Sequence, residues 1–273
     1  MTGQIIFIIW RESIEALLVI GILHNWLGRA GGQGRGYLWA GVGAGIGLSL
    51  LMAYSFLRFA ETLSEDAQDK VMTATVFLAA ALIVQMVAWM RANGRTLKGQ
   101  LHRGLDSALQ SGRLWGVFTL AMIAVAREGS ETVVFLYGLL AASSGTGVVD
   151  IAQAIAVGFA AALLSYGLLQ LGGRIMPWRV FFRLSETMLL ALGNALVVTG
   201  AGKLVSLGLL PYTDPVWNTG WLLDDTSRFG SLVAALTGYR SEPDLVTLGV
   251  WVCYAAVLLV VLRPRPVARK AMP

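Results

Sequence analysis

The chain is poor in cysteine, histidine and charge. It has one cysteine, Cys253, and two histidines, His24 and His102, in 273 residues. A single cysteine cannot form an intrachain disulfide, a cysteine-rich zinc site or an iron–sulfur site. Charged residues make up 14% of the sequence and hydrophobic residues 56%, whereas soluble domains carry about 25% charged residues. This composition argues against a soluble globular protein.

The abundant residues are those of helical membrane proteins. The sequence contains 32 glycines and 9 tryptophans. Glycine lets membrane helices approach closely, and tryptophan favours the membrane–water interface. The net charge of +5 does not indicate a nucleic-acid partner, because the basic residues are concentrated in alternate loops between apolar stretches.

Seven apolar stretches are long enough to cross a bilayer as helices, which takes about 20 residues each. They cover residues 5–26, 37–57, 71–90, 114–140, 149–171, 180–210 and 245–262. The sequence therefore predicts an all-α, multi-pass membrane protein with seven transmembrane helices. Basic residues follow predicted helices 1, 3, 5 and 7, and acidic residues follow helices 2, 4 and 6. Because basic loops stay in the cytoplasm, we expect the N-terminus outside and the C-terminus inside.

An internal repeat places charged side chains in the middle of two helices. The pattern R-E-x-x-E occurs in helix 1 and, 116 residues later, in helix 4; its members are Arg11, Glu12, Glu15, Arg127, Glu128 and Glu131. A three-helix unit that is repeated enters the membrane from the opposite side, because three is odd, so the two units are inverted. We expect one integral membrane domain with three parts: a first repeat and its cytoplasmic loop (1–113), a second, inverted repeat (114–210), and an exoplasmic loop, helix 7 and cytoplasmic tail (211–273).

These six ionisable residues need a partner or a function, because each costs at least about 2.5 kcal/mol near the bilayer centre. One interpretation is structural: each arginine pairs with the glutamate four residues further along its helix. That pairing leaves Glu12 and Glu128 without a partner in their own helices. The other interpretation is a metal path, because two arginines and four glutamates leave an excess of negative charge that a cation would balance.

Carboxylates on two facing helices suit hard or borderline cations such as iron, manganese or magnesium. Soft copper(I) is disfavoured, and we expect the 9 methionines, including the helically spaced Met86 and Met90, to fill gaps between helices. A membrane-embedded carboxylate-metal enzyme is a further alternative. Such enzymes usually use Glu-x-x-His pairs, and neither motif contains histidine, so transport is favoured over catalysis.

The paired motifs, the seven spans and the layout of nearly the whole chain resemble the oxidase-dependent iron permease family, which includes fungal high-affinity iron permeases and bacterial ferrous iron permeases of the Efe type. In the first motif Ser13 replaces the glycine common in that family, which the second motif keeps as Gly129. The resemblance implies iron uptake through a bacterial plasma (inner) membrane, with Fe²⁺ or Fe³⁺ as transported substrate and no cofactor. It implies as metal ligands Glu12, Glu15, Glu128 and Glu131. From the charge balance of the motifs, we expect Arg11 and Arg127 to act as counter-ions or gates.

The acidic exoplasmic loop of that family resembles, in place and charge, a cluster after helix 2 formed by Glu61, Glu65, Asp66 and Asp69. Such a cluster would concentrate cations at an entrance, and a solvated loop is the equal alternative. Glu186, at the start of helix 6, is expected to form a structural ion pair with Arg183. A periplasmic oxidase or iron-delivery protein as partner, manganese or lead as substrate, and the oligomeric state stay open.

Overall fold

A computed structural model of the protein describes residues 2–29, 34–93, 115–141, 147–171 and 178–262. This part of the chain is helical and contains no strand, apart from one isolated β-bridge between Pro215 and Asp244. Its eight helices are α1 (Thr2–Arg29), α2 (Arg35–Glu61), α3 (Glu65–Asn93), α4 (Trp115–Ala141), α5 (Val148–Leu171), α6 (Trp178–Ser206), α7 (Arg228–Thr237) and α8 (Leu245–Val261).

Four of these helices are long and apolar enough to cross a membrane. These helices are α2, α3, α5 and α6, and their most apolar segments have mean hydropathies of 1.6, 2.2, 1.9 and 1.6. Helices α1 and α4 are as long, with 28 and 27 residues, but each carries three charged side chains in its middle, which lowers its mean hydropathy. The apolar helix α8 is shorter, at 17 residues. The prediction of an all-α, multi-pass membrane protein is confirmed.

Each long helix packs against one or more helices that are not its neighbours in the sequence. Helix α2 lies mainly against α4, and α5 lies mainly against α1. Helices α1 and α4 also contact each other, α3 packs against both α4 and α6, and α8 packs on α6. This arrangement places α1 and α4, the two helices that carry the charged motifs, side by side.

Two apolar clusters fill the space on either side of the motifs. One cluster includes Ile5 and Ile8 of α1 and Phe135 of α4, packed with residues of α3 and α6. The other includes Leu23 of α1 and Val117 of α4, packed with residues of α2. Because these clusters lie at opposite ends of α1 and α4, the charged residues lie between two apolar regions along the bundle.

The segment after α6, expected to be an exoplasmic loop, contains the additional helix α7. The Ser227 side chain accepts a hydrogen bond from the backbone of its first turn, and Gly238 ends it in a left-handed conformation at φ 75°. The Asn194 side chain of α6 donates to the carbonyl of Thr237 at 2.8 Å. These cap residues could have predicted the helix, and its hydrogen bond to α6 fixes its position.

The expected ion pair between Glu186 and Arg183 is wrong. Glu186 pairs with Arg91 of α3 instead, while Arg183 is exposed. The close packing of α3 on α6 supplies a partner across the helix interface, which spacing along one helix could not reveal.

Most basic residues behind the predicted orientation lie outside the described residues. They lie between α3 and α4, between α5 and α6, and after α8 in the sequence, and include Arg95, Lys98, Arg103, Arg113, Arg174, Arg263, Arg265, Arg269 and Lys270. The boundary between 113 and 114 lies outside them too. The orientation and the division into repeats therefore stay predictions.

Glycine permits the close approach of α2 to α4. A methyl group on Gly45 would lie 2.8 Å from Cβ of Val125 and 2.9 Å from the backbone oxygen of Met122. Both distances are below ordinary van der Waals contact, so the two helix backbones can meet only because this side chain is absent. On the same helix, Gly43 and Gly47 have no heavy atom within 4 Å of a corresponding methyl group.

We expect Gly45→Ala to lower the free energy of unfolding by about 1–3 kcal/mol, the usual cost of overpacking. Gly47→Ala is the matched control, and its stability should stay unchanged or rise by up to about 1 kcal/mol, because alanine favours helix over glycine. Denaturant titration of the purified protein in detergent measures both. Equal stability of the two variants would contradict the close packing of α2 on α4.

Candidate metal site

The two motifs lie in the middle of α1 and α4, where these helices contact each other. Residues separated by three or four positions lie on one face of an α-helix. Each motif therefore presents its arginine and its two glutamates on neighbouring parts of its surface, and the contact of α1 with α4 brings the two sets together.

Three glutamates form a compact cluster at this contact. Glu12, Glu15 and Glu128 each offer a carboxylate oxygen, and these oxygens lie within 4.8 Å of one another. Their side chains are 3%, 20% and 12% exposed. One oxygen of Glu12 and one of Glu128 are buried without a hydrogen-bond partner. Carboxylates this close repel each other unless cations balance them, so the cluster is suited to binding a cation.

Arg11 supplies part of the balancing charge. Its side chain is 1% exposed, with Nη1 2.6 Å from Glu12 Oε1 and Nη2 2.5 Å from Glu15 Oε1. The pairing with Glu15, four residues away, matches the structural interpretation of the sequence. The expectation that Glu12 has no partner in its own helix is wrong, because the planar guanidinium group spans both carboxylates.

Two methionines of α3 contact the same guanidinium group. Arg11 Nη1 donates to Met86 Sδ at 3.1 Å and Nη2 donates to Met90 Sδ at 3.3 Å. Its Nε is buried without a partner. Met86 and Met90 were expected only to fill gaps between helices; here both also act as hydrogen-bond acceptors for a buried charge.

The second arginine lies in a different environment. Arg127 is 42% exposed, and its Nε is 3.1 Å from Glu131 Oε1 and 4.0 Å from Glu128 Oε1. Its guanidinium carbon lies 4.5 Å from the centre of the Trp89 ring of α3, which is within the range of a cation–π interaction. The two motifs match in sequence, but their arginines differ in burial and in partners.

A cavity of about 250 Å³ lies beside the cluster, between α3 and α4. Its lining consists of Leu82, Gln85, Met86, Trp89, Arg127 and Glu131. Glu131 is therefore at the edge of the cluster, next to space that an ion could occupy. Gln85 and Trp89 were missed in the sequence; the signal was a polar residue inside an apolar span, one turn before a tryptophan.

The expected entrance group lies far from this cluster. Glu61, Glu65, Asp66 and Asp69 are all exposed at the adjoining ends of α2 and α3. Glu61 forms an ion pair with Arg58 at 2.9 Å. Glu65 and Asp66 lie in the first turn of α3, where acidic side chains interact favourably with the helix dipole. Met86 lies 17 residues beyond Asp69, or about 25 Å along the helix axis.

Ionisable residues buried among apolar membrane helices are typical of proteins that move ions across membranes, and clustered carboxylates bind hard or borderline cations. Fold and site together define a membrane permease for a cation of this kind. The chain belongs to the Iron permease FTR1 family, whose family model matches residues 3–269.

Individual relatives match along almost their whole length. The chain is 30% identical over 269 residues to ferrous iron permease EfeU of Escherichia coli O6:H1 (strain CFT073), covering 94% of this chain and 95% of the relative. It is 28% identical over 262 residues to EfeU of Shigella sonnei (93% and 92% covered). It is 26% identical over 276 residues to EfeU of Yersinia pestis (97% and 95% covered). No solved structure matches the chain.

These similarities confirm the resemblance to the iron permeases. Members of the family and the relatives are permeases, so the alternative of a membrane-embedded enzyme is wrong. The matched family and these relatives are named as iron permeases.

The unequal burial of the two arginines predicts unequal contributions to stability. Arg11→Gln leaves the buried glutamates without their cation, and we expect it to lower the free energy of unfolding by about 3 kcal/mol or more. Arg127→Gln should cost about 1 kcal/mol or less, because Arg127 is 42% exposed and water screens its ion pairs. Denaturant titration in detergent without added metal compares the two variants. Equal losses would show that burial does not distinguish the two arginines.

Proposed function

We propose that this protein carries iron ions across the bacterial inner membrane into the cytoplasm, with the motif glutamates as ligands near the middle of the membrane. The observation that carries the proposal is the cluster of Glu12, Glu15 and Glu128, whose carboxylate oxygens lie within 4.8 Å of one another. Two of these residues come from one motif and the third from the other, so a single ion would bridge α1 and α4.

The charges of the site support a divalent or trivalent cation. If all four glutamates are ionised, the two arginines leave an excess of about two negative charges, which a bound iron ion would neutralise. Arg11 and Arg127 act as counter-ions while no iron is bound, because each lies within 4.0 Å of carboxylates of its own motif. Glu131, at the edge of the cavity beside the cluster, is the ligand by which the ion reaches or leaves the other three.

The helix packing supports an inverted repeat. Two units related by a twofold axis in the membrane plane would exchange contacts, so that α2 packs on α4 and α5 packs on α1, and these pairs are in contact. Both pairs approach closely at glycine: a methyl group on Gly158 of α5 would lie 2.7 Å from the backbone oxygen of Ile6 of α1. The proposed units are residues 1–113 and 114–210, with 211–273 as an addition.

The central test is iron uptake into proteoliposomes that contain this protein alone. Glu15→Gln and Glu128→Gln each remove one ligand charge with little change in size, and we expect each to reduce uptake at limiting iron by about tenfold or more. Glu61→Gln is the matched control at the exposed end of α2. It should keep the maximal uptake and raise the iron concentration needed for half-maximal uptake.

Two outcomes would contradict the proposal. Uptake by both midplane variants equal to that of the unchanged protein would show that the motif is structural. Uptake of Mn²⁺ or Pb²⁺ with no uptake of Fe²⁺ or Fe³⁺ would replace iron as the substrate.

An unchanged iron requirement of Glu61→Gln would show that the acidic residues between α2 and α3 are a solvated loop and no entrance.

The proposed orientation can be tested with single cysteines. The native Cys253 is first replaced by serine, and Glu61→Cys or Arg103→Cys is then introduced. A membrane-impermeant maleimide added to intact spheroplasts should label the residue at position 61 and leave position 103 unlabelled until the membrane is permeabilised. The reverse pattern would show that the N-terminus is inside.

A further inference from the structure

Helix α3 contacts both motif arginines with one short stretch. Met86 and Met90 accept hydrogen bonds from Arg11 at 3.1 Å and 3.3 Å, and Trp89 lies under the guanidinium group of Arg127. These residues are spaced by three and four positions, so they share one face of the helix. Helix α3, which carries neither motif, therefore contacts the guanidinium groups of both motif arginines.

We propose that Met86 and Met90 are positioning residues for transport, which keep the Arg11 guanidinium group on α3 when an iron ion takes the oxygens of Glu12 and Glu15. This inference rests on the proposed function, because it concerns the moment at which the ion replaces the arginine at its carboxylates.

Arg11 and a bound ion would compete for the same two carboxylates. Arg11 occupies Oε1 of Glu12 and Oε1 of Glu15 at 2.6 Å and 2.5 Å, and an ion bound by the cluster needs these carboxylates as ligands. Arg11 cannot escape to water within the bundle, since its side chain is 1% exposed. A buried guanidinium group that loses its acceptors carries a large desolvation cost. The two sulfur atoms are then the described acceptors that remain.

The two sulfur atoms contribute more to the stability of the iron-bound state than to that of the free state. While Arg11 is paired with the glutamates, each sulfur is a second acceptor for a guanidinium NH₂ group that already has a carboxylate partner. Once the ion has taken the carboxylates, the sulfurs become the main partners of those N–H groups. Loss of the sulfurs therefore destabilises the iron-bound state more than the free state, which weakens iron binding.

Thioether sulfur is suited to this role. It is a weak, uncharged acceptor, so it holds the guanidinium group without competing strongly for a hard or borderline cation. A third carboxylate at this place would bind Arg11 tightly and add to the ligand set. The flexible methionine side chain can also follow a small movement of the arginine.

The second motif does not share this arrangement. Arg127 is 42% exposed and lies beside the cavity, so it has room to move without such acceptors. At the offset of 116 residues that relates the motifs, Met86 and Met90 correspond to Gly202 and Ser206 of α6, which carry no thioether. The methionine pair thus serves the buried arginine alone.

The test compares the iron dependence of uptake in proteoliposomes. The double variant Met86→Leu with Met90→Leu keeps the volume and removes both acceptors. We expect its half-saturating iron concentration to rise about tenfold, equivalent to about 1.4 kcal/mol, with maximal uptake within about twofold of the unchanged protein. Each single leucine variant should show a rise of about threefold, and these carry the test if the double variant does not fold.

Two further variants separate positioning from packing. Met72→Leu with Met188→Leu is the matched control, because both methionines pack against the same apolar cluster as Met86. It should leave the half-saturating concentration unchanged. Met86→Gln returns an acceptor oxygen to α3 and should keep the half-saturating concentration at or below that of the unchanged protein, whereas Met86→Leu raises it.

The outcomes distinguish this inference from the function on which it rests. No iron uptake by the unchanged protein would contradict the proposed function. Uptake by the unchanged protein with the same half-saturating concentration in the leucine variants would overturn the positioning role and leave the function standing. An equal rise in the control variant, or no recovery with glutamine, would show that these methionines act only through packing.

Discussion

The burial of charged side chains in the apolar middle of α1 and α4 is the constraint on which the rest of the structure depends. A charge removed from water must find partners within the protein. Arg11 finds four: the carboxylates of Glu12 and Glu15 on its own helix, and the sulfur atoms of Met86 and Met90 on α3. The apolar clusters on either side of the motifs confine the buried charges to the middle of α1 and α4.

The same constraint creates the chemistry of the site. The carboxylates of Glu12, Glu15 and Glu128 lie close enough to repel one another when all three are ionised, and Arg11 and Arg127 balance only part of the charge of the four motif glutamates. Because Arg11 is enclosed and Arg127 lies beside a cavity, matching residues of the two motifs have different freedom to move.

The scaffold has to bring two polar helices together in an apolar setting. It does so through close contacts at small residues, as at Gly45 between α2 and α4 and at Gly158 between α5 and α1. Helix α3 then covers the contact of the motifs from one side. Without directional attraction between apolar membrane helices, such tight packing and the buried polar contacts determine how these helices associate.

The fold class, the long helices and the two motifs can be read from the sequence alone, because apolar length and residue spacing are local properties of the chain. The spacing also offered the pairs Arg11–Glu15 and Arg127–Glu131 as one of two interpretations of the motifs, and both pairs are present in the structure. Tertiary packing decides which arginine is enclosed, that Met86 and Met90 accept hydrogen bonds from Arg11, that Glu186 pairs with Arg91, and that α7 is hydrogen-bonded to α6. These features depend on which helix faces meet, and that choice is made by the packing of the whole bundle.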